Sequence, residues 1–177
     1  MTTIRPSRFI AFSLYLLIVI SLMACSSSTI RIVKNGESNY EIVIPSEADS
    51  LILHAAEELK FYIRQSSGAD IPVTAEETHD PDLNAINVGF EASNTEFTPH
   101  TITYYLDGDD LYISGGNARS TLYAVYRFLE QELGFMWLSP ETDLIPETKD
   151  IRIDAGLRYS YTPDITTRTV HSRLFYE

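Results

Sequence analysis

The sequence predicts an α+β fold in which a mixed β-sheet is covered by two main helices, and three observations carry that expectation. Two long segments, one after Pro45 and one after Gly116, repeat apolar residues at spacings of three and four. That spacing marks a helix with one buried face. Several shorter segments alternate apolar and polar residues with the period of a strand. Hairpin signals are mixed in among the helices, which points to a mixed-sheet layer fold.

In chain order, residues 30–33 and 40–44 read as strands separated by the turn signal Asn35-Gly36, and Pro45 ends the second. Ser46 reads as a helix N-cap, with Asp49 as the partner of a capping-box variant, so a helix is expected over about residues 47–66. Leu51, Ala55, Leu59, Tyr62 and Ser66 build its apolar face, Ile52 and Ile63 widen it, and Gly68 is a left-handed stop. Residues 71–74 form a short strand, and residues 75–84 a polar loop. Ile86, Val88 and Phe90 alternate as a strand, followed by a loop over 91–99. Ile102, Tyr104 and Leu106 alternate again; Asp107-Gly108-Asp109-Asp110 turns the chain, and residues 111–114 return as the hairpin partner. A second helix follows Gly115-Gly116-Asn117, with Leu122, Val125, Tyr126, Leu129 and Leu133 as its stripe. Arg127, Glu130 and Gln131 face away, and Gly134 caps the end. Residues 135–138 are short and apolar, Pro140 and Pro146 punctuate a loop, and Ile151 and Ile153 mark a last strand. The expected order is ββαββββαββ, with less pattern from about Ala155 onward.

Signatures of catalysis are sparse. There is no H-E-x-x-H, G-x-S-x-G, Walker loop or C-x-x-C. His54, His79, His100 and His171 have no ligand spacing and read as surface or loop residues. Asp107, Asp109 and Asp110 lack the further oxygen ligands of a calcium loop and fit a hairpin turn. Glu57 and Glu58 are neighbours on a helix and point about 100° apart, so they cannot act as a carboxylate pair across one bond. Gly115-Gly116-Asn117 could cradle an anion at a helix start, but it lacks G-x-G-x-x-G spacing and reads as a tight strand-to-helix turn. Tyr104, Tyr105, Tyr112, Tyr123, Tyr126 and Trp137 could stack on sugar rings, though alternation puts Tyr104 and Tyr105 on opposite faces, so some belong to the core. No cofactor and no metal site is expected.

At 177 residues the chain has room for one domain. Its start reads as a secretory signal: Arg5 and Arg8 precede an apolar run over residues 9–22, shorter than the ~20 residues a membrane helix needs. Leu22-Met23-Ala24-Cys25 resembles the lipobox of bacterial lipoproteins, in which Cys25, the sole cysteine, would carry the lipid. Residues 25–29 would then be a tether, and the membrane a partner through the acyl anchor. Ser26 carries no inner-membrane retention signal, which favours the outer membrane of the cell envelope. Without residues 1–24 the chain keeps 11 basic and all 25 acidic residues, a net charge of −14 with His neutral. Such a chain repels phosphate backbones, so nucleic acid is not an expected partner.

The run Ser120-Thr121-Leu122-Tyr123-Ala124-Val125-Tyr126-Arg127-Phe128-Leu129-Glu130, with Leu133-Gly134, Trp137 and Pro140, resembles the closing helix of the N-terminal domain of α-glucuronidase-like glycoside hydrolases. Ala55-Ala56-Glu57-Glu58-Leu59, with Gly68 and Ile71-Pro72-Val73, is similar to that family's first helix and next strand. Residues 86–89 and 111–115 match its intervening strands. Two positions depart from the pattern: Ser120 stands where many relatives have a small residue, often Gly, and Met136 where they have a basic one.

The resemblance implies a hexosaminidase domain 2-like domain over residues 30–154, packed beside a (β/α)₈ barrel that holds the catalytic carboxylates. Residues 155–177 would be a linker and the start of a truncated barrel, with Arg168 near the first barrel strand, where related hydrolases can place a sugar-binding arginine. On this reading the chain holds no catalytic residue of its own. It would be a non-catalytic accessory domain and a fragment of a polysaccharide-degrading enzyme, with its own barrel and carbohydrate as partners. The alternative is a free-standing carbohydrate-binding surface lipoprotein, and a third reading is a structural envelope lipoprotein.

Overall fold

The computed structural model describes residues 28–90, 98–139 and 141–165; Cys25, Arg168 and His171 lie outside them. The elements in order are β1 (Thr29–Val33), β2 (Tyr40–Ile44), α1 (Ser50–Ser67), β3 (Val73–Ala75), a 3₁₀ turn (Glu76–Thr78), β4 (Asn84–Val88), β5 (Ile102–Asp107), β6 (Asp110–Gly115), α2 (Ala118–Leu133), β7 (Met136–Ser139), β8 (Thr142–Leu144), β9 (Ile151–Asp154) and β10 (Arg158–Tyr161).

A six-stranded mixed sheet, ordered β10-β5-β6-β4-β2-β3, forms the central layer. β3, β2, β4 and β6 run parallel, and β5 and β10 run against their neighbours. The two helices pack on each other and on this sheet. Register explains the burial. Leu106, Leu111, Ile86, Ile42 and Val73 lie side by side across the strands, as do Tyr104, Ile113 and Val88. All but the half-buried Val73 are buried. One residue out of phase lies the row Arg158, Tyr105, Tyr112, Asn87, Val43 and Thr74 on the other face. The α+β class and the two helices over one mixed sheet therefore stand as expected.

Several boundaries move. Asp49, not Ser46, caps α1: its side chain accepts from the Leu51 N–H at 2.7 Å. Pro45 heads a turn closed by the Ala48 N–H on its carbonyl at 3.0 Å, which occupies the residues expected to open the helix. Asn35-Gly36 does form a turn, with φ of 55° and 82°. However, β1 does not pair with β2; it pairs antiparallel with β9 in a separate ribbon. The loop expected around Pro140 contains β8, which pairs with β7. Residues 155–161, expected in a linker, supply β10, which joins the main sheet at β5. Arg158-Tyr159-Ser160-Tyr161 alternates like a strand, but only Tyr159 among them is even half-buried, so the apolar signal is weak.

The buried face of α2 is also rotated from the expected stripe. Ser120, Thr121, Ala124, Val125, Phe128 and Leu129 are buried, whereas Leu122, Tyr126 and Leu133 are only partly so. The cause is close approach of the backbone. A Cβ on Gly115 would sit 2.3 Å from the Ser120 carbonyl carbon, so small side chains must face the sheet here. Their hydroxyls are satisfied locally: Ser120 Oγ donates to the Pro99 carbonyl at 2.6 Å and Thr121 Oγ1 accepts from the Gly115 N–H at 3.1 Å.

Candidate functional site

A groove of about 610 Å³ opens between α2 and the edge strand β10. α2 contributes Tyr123, Tyr126, Arg127 and Glu130, which at i, i+3, i+4 and i+7 share one helix face. β10 contributes Tyr159 and Tyr161, on the helix side of the sheet because they pair with Tyr104 and Ile102. Trp137 of β7 closes one end, and Ile102, His100 and Pro163 complete the wall. An adjoining hollow of about 550 Å³ shares His100, Tyr123 and Pro163.

The groove's inner rings are held rigidly. Trp137 lies edge-on to Tyr126 at 5.1 Å and to Tyr62 at 5.4 Å. Its Nε1 donates to Tyr62 Oη at 2.7 Å, and Tyr62 donates to Asp143 Oδ2 at 3.1 Å. Tyr126 Oη donates to Glu58 Oε2 at 2.7 Å. Burial first, then the bond to Glu58 and its charge, raises the Tyr126 hydroxyl above the ordinary tyrosine range, so it stays a donor. Tyr159 stacks on the buried Tyr104 at 4.6 Å. The Arg127 guanidinium lies 6.0 Å over the Tyr159 ring and bonds Glu130 at 2.9 Å. Tyr123 and Tyr161 are different, being 56% and 48% exposed.

The six aromatics singled out in the sequence therefore divide. Tyr104 is core, and its hydroxyl donates to Glu132 at 3.0 Å. Tyr105 and Tyr112 stack on each other at 5.1 Å on the opposite sheet face, with Arg158 5.4 Å over Tyr105. Tyr123, Tyr126 and Trp137 meet in the groove. The sequence reading missed Tyr159 and Tyr161, because β10 went unread, and sent Arg127 and Glu130 away from any site. The period-two tyrosines of residues 159 and 161 were the available signal.

Other candidates are accounted for locally. Asp110 accepts from the Ala85 N–H at 2.8 Å, and the Asp109 carbonyl from Tyr40 Oη at 2.8 Å, so this cluster braces the hairpin against β2 and β4. Asn117 caps α2 by accepting from the Ser120 N–H at 2.9 Å. A Cβ on Gly116 would lie 1.8 Å from the Thr98 carbonyl oxygen, which makes Gly115-Gly116-Asn117 a tight turn, as expected. Glu57 is exposed. His79 lies in a loop, as expected, and bonds the buried Glu41 at 2.7 Å. Among the described residues no cluster of His, Cys, Asp or Glu has the arrangement of a metal site, and no helix is long and apolar enough to cross a membrane.

No protein-family model and no curated protein matches the sequence. Solved structures match the fold, and they are domains of glycoside hydrolases. A family GH115 4-O-methyl-alpha-glucuronidase with specificity for decorated arabinogalactans superposes at a TM-score of 0.51 and 10% identity. That match covers 77% of this chain and 19% of the enzyme. A mutant Streptomyces plicatus beta-hexosaminidase in complex with its product GlcNAc superposes at 0.51 and 14% identity, covering 80% of this chain and 24% of that one. The chain thus has a glycoside-hydrolase-like domain fold and spans less than a quarter of the length of either enzyme.

Proposed function

We propose that this chain is the non-catalytic N-terminal accessory domain of an exported, α-glucuronidase-like glycoside hydrolase, of the hexosaminidase domain 2 type, and that it supports a catalytic barrel. The observation that carries this reading is the lopsided coverage: about four-fifths of the chain matches about a fifth to a quarter of two glycoside hydrolases. The groove's chemistry agrees. Glycoside hydrolysis needs two carboxyls roughly 5–10 Å apart, whereas among the described residues the groove's wall carries one, Glu130, already bonded to Arg127. Export by residues 1–24 and acylation of Cys25 would hold the enzyme at the cell envelope.

Two measurements test this. The purified 177-residue chain should not turn over aryl α-glucuronides or aryl N-acetylglucosaminides, and measurable turnover overturns the non-catalytic reading. In the source cells, an antibody to the chain should detect a protein larger by a barrel, on the order of 250 residues. A species no larger than the chain itself overturns the accessory-domain reading. Separately, Cys25→Ala should abolish recovery in the membrane fraction and incorporation of labelled palmitate.

A further inference from the structure

We propose that the groove between α2 and β10 binds a neutral oligosaccharide. The site is built wholly from this chain's residues and goes beyond a supporting role for a barrel. A pyranose ring offers an apolar C–H face that packs on an aromatic ring and a rim of hydroxyls that seeks polar partners. The groove supplies both. Tyr123 and Tyr161, large rings with an apolar face and a polar hydroxyl, stand 56% and 48% exposed at its mouth. Beneath them Tyr126 and Trp137 are immobilised by their bonds to Glu58 and Tyr62, so binding orders few further groups. Arg127 and Glu130 provide donors and acceptors along the wall.

Charge decides between sugars. Arg127, the one guanidinium in the groove wall among the described residues, is already paired with Glu130 at 2.9 Å. The chain as a whole carries a formal charge of −12, which repels a polyuronate. The adjoining hollow, which shares Tyr123 with the groove and carries both Asp49 and Arg119 in its wall, extends the site beyond one ring.

Trp137 is the chain's single tryptophan and lines the groove, so its emission reports on ligand bound there. The full chain should be titrated with xylohexaose, cellohexaose, mannohexaose and chitohexaose, and with hexagalacturonate as the anionic comparator. At least one neutral hexasaccharide should change the emission saturably, and hexagalacturonate should bind more weakly. Tyr123→Ala and Tyr161→Ala, at exposed positions where the far-ultraviolet spectrum should not change, should each weaken binding about three- to tenfold. The proposal is overturned if no neutral hexasaccharide changes the emission, if hexagalacturonate binds more tightly, or if both variants bind like the parent. Such a result leaves the turnover and size measurements of the accessory-domain reading untouched, so the two readings fail separately.

Discussion

Glu41 lies on the sheet face away from the helices and is 8% exposed. Burial pushes its carboxyl up, but the Asp80 N–H at 3.0 Å, His79 at 2.7 Å with its charge, and the Thr74 hydroxyl together outweigh burial. The net effect holds the carboxyl below its ordinary value of 4.5. A group depressed in the folded state contributes stability above its unfolded pKa and loses it as pH falls. Glu41→Gln should therefore lower stability at neutral pH by about 2 kcal/mol and flatten the acid limb below about pH 5, as read by urea unfolding across pH. Glycines separate two causes in the same assay. Gly116→Ala forces a Cβ to 1.8 Å from a backbone oxygen and should cost about 3 kcal/mol or more. Gly108→Ala meets nothing within 4 Å, and only its φ of 63° opposes it, so about 1 kcal/mol is expected.

At the scale of elements, the β7–β8 ribbon shows how a poorly buried piece is held. Its residues are mostly exposed, and Trp137 with Asp143 pins it to α1 through the Tyr62 hydroxyl. Tyr62→Phe should cost about 1–2 kcal/mol and change Trp137 emission, because the indole N–H loses its acceptor. The same ribbon marks where sequence reading runs out. The β5–β6 hairpin was legible because Tyr104, Leu106, Leu111 and Ile113 alternate into the core around Gly108. Both helices were legible from their periodicity and from the glycines that end them, Gly68 and Gly134. Thr142–Leu144 and Arg158–Tyr161 carry almost no buried apolar residue, so little marks them as strand beyond the period-two tyrosines at 159 and 161. The face of α2 was misjudged because Ser120 and Thr121, polar by composition, are buried by a glycine's close approach. The groove followed: its helix half and Trp137 were visible in the sequence, and its strand half was not.

At the scale of the whole molecule, β10 shows that the sheet extends beyond the residue-154 boundary read from the sequence. A chain ending at 154 would bare the β5 edge, with Ile102 and Tyr104 losing the cover of Tyr161 and Tyr159. Such a chain should be far less stable than one ending at 165, with an earlier thermal transition and aggregation on size exclusion. The β1–β9 ribbon has a consequence in time. Val33 must wait for Ile151 before it can pair, and Thr29 for Asp154. At about 5–20 residues per second, ribosomal synthesis takes roughly 6–24 s to traverse that interval. Closing so long a loop is also an entropic hurdle that local hairpins do not face. The first strand made is thus among the last to find its partner, and the nascent chain must keep Ile32 and Val33 from straying until then.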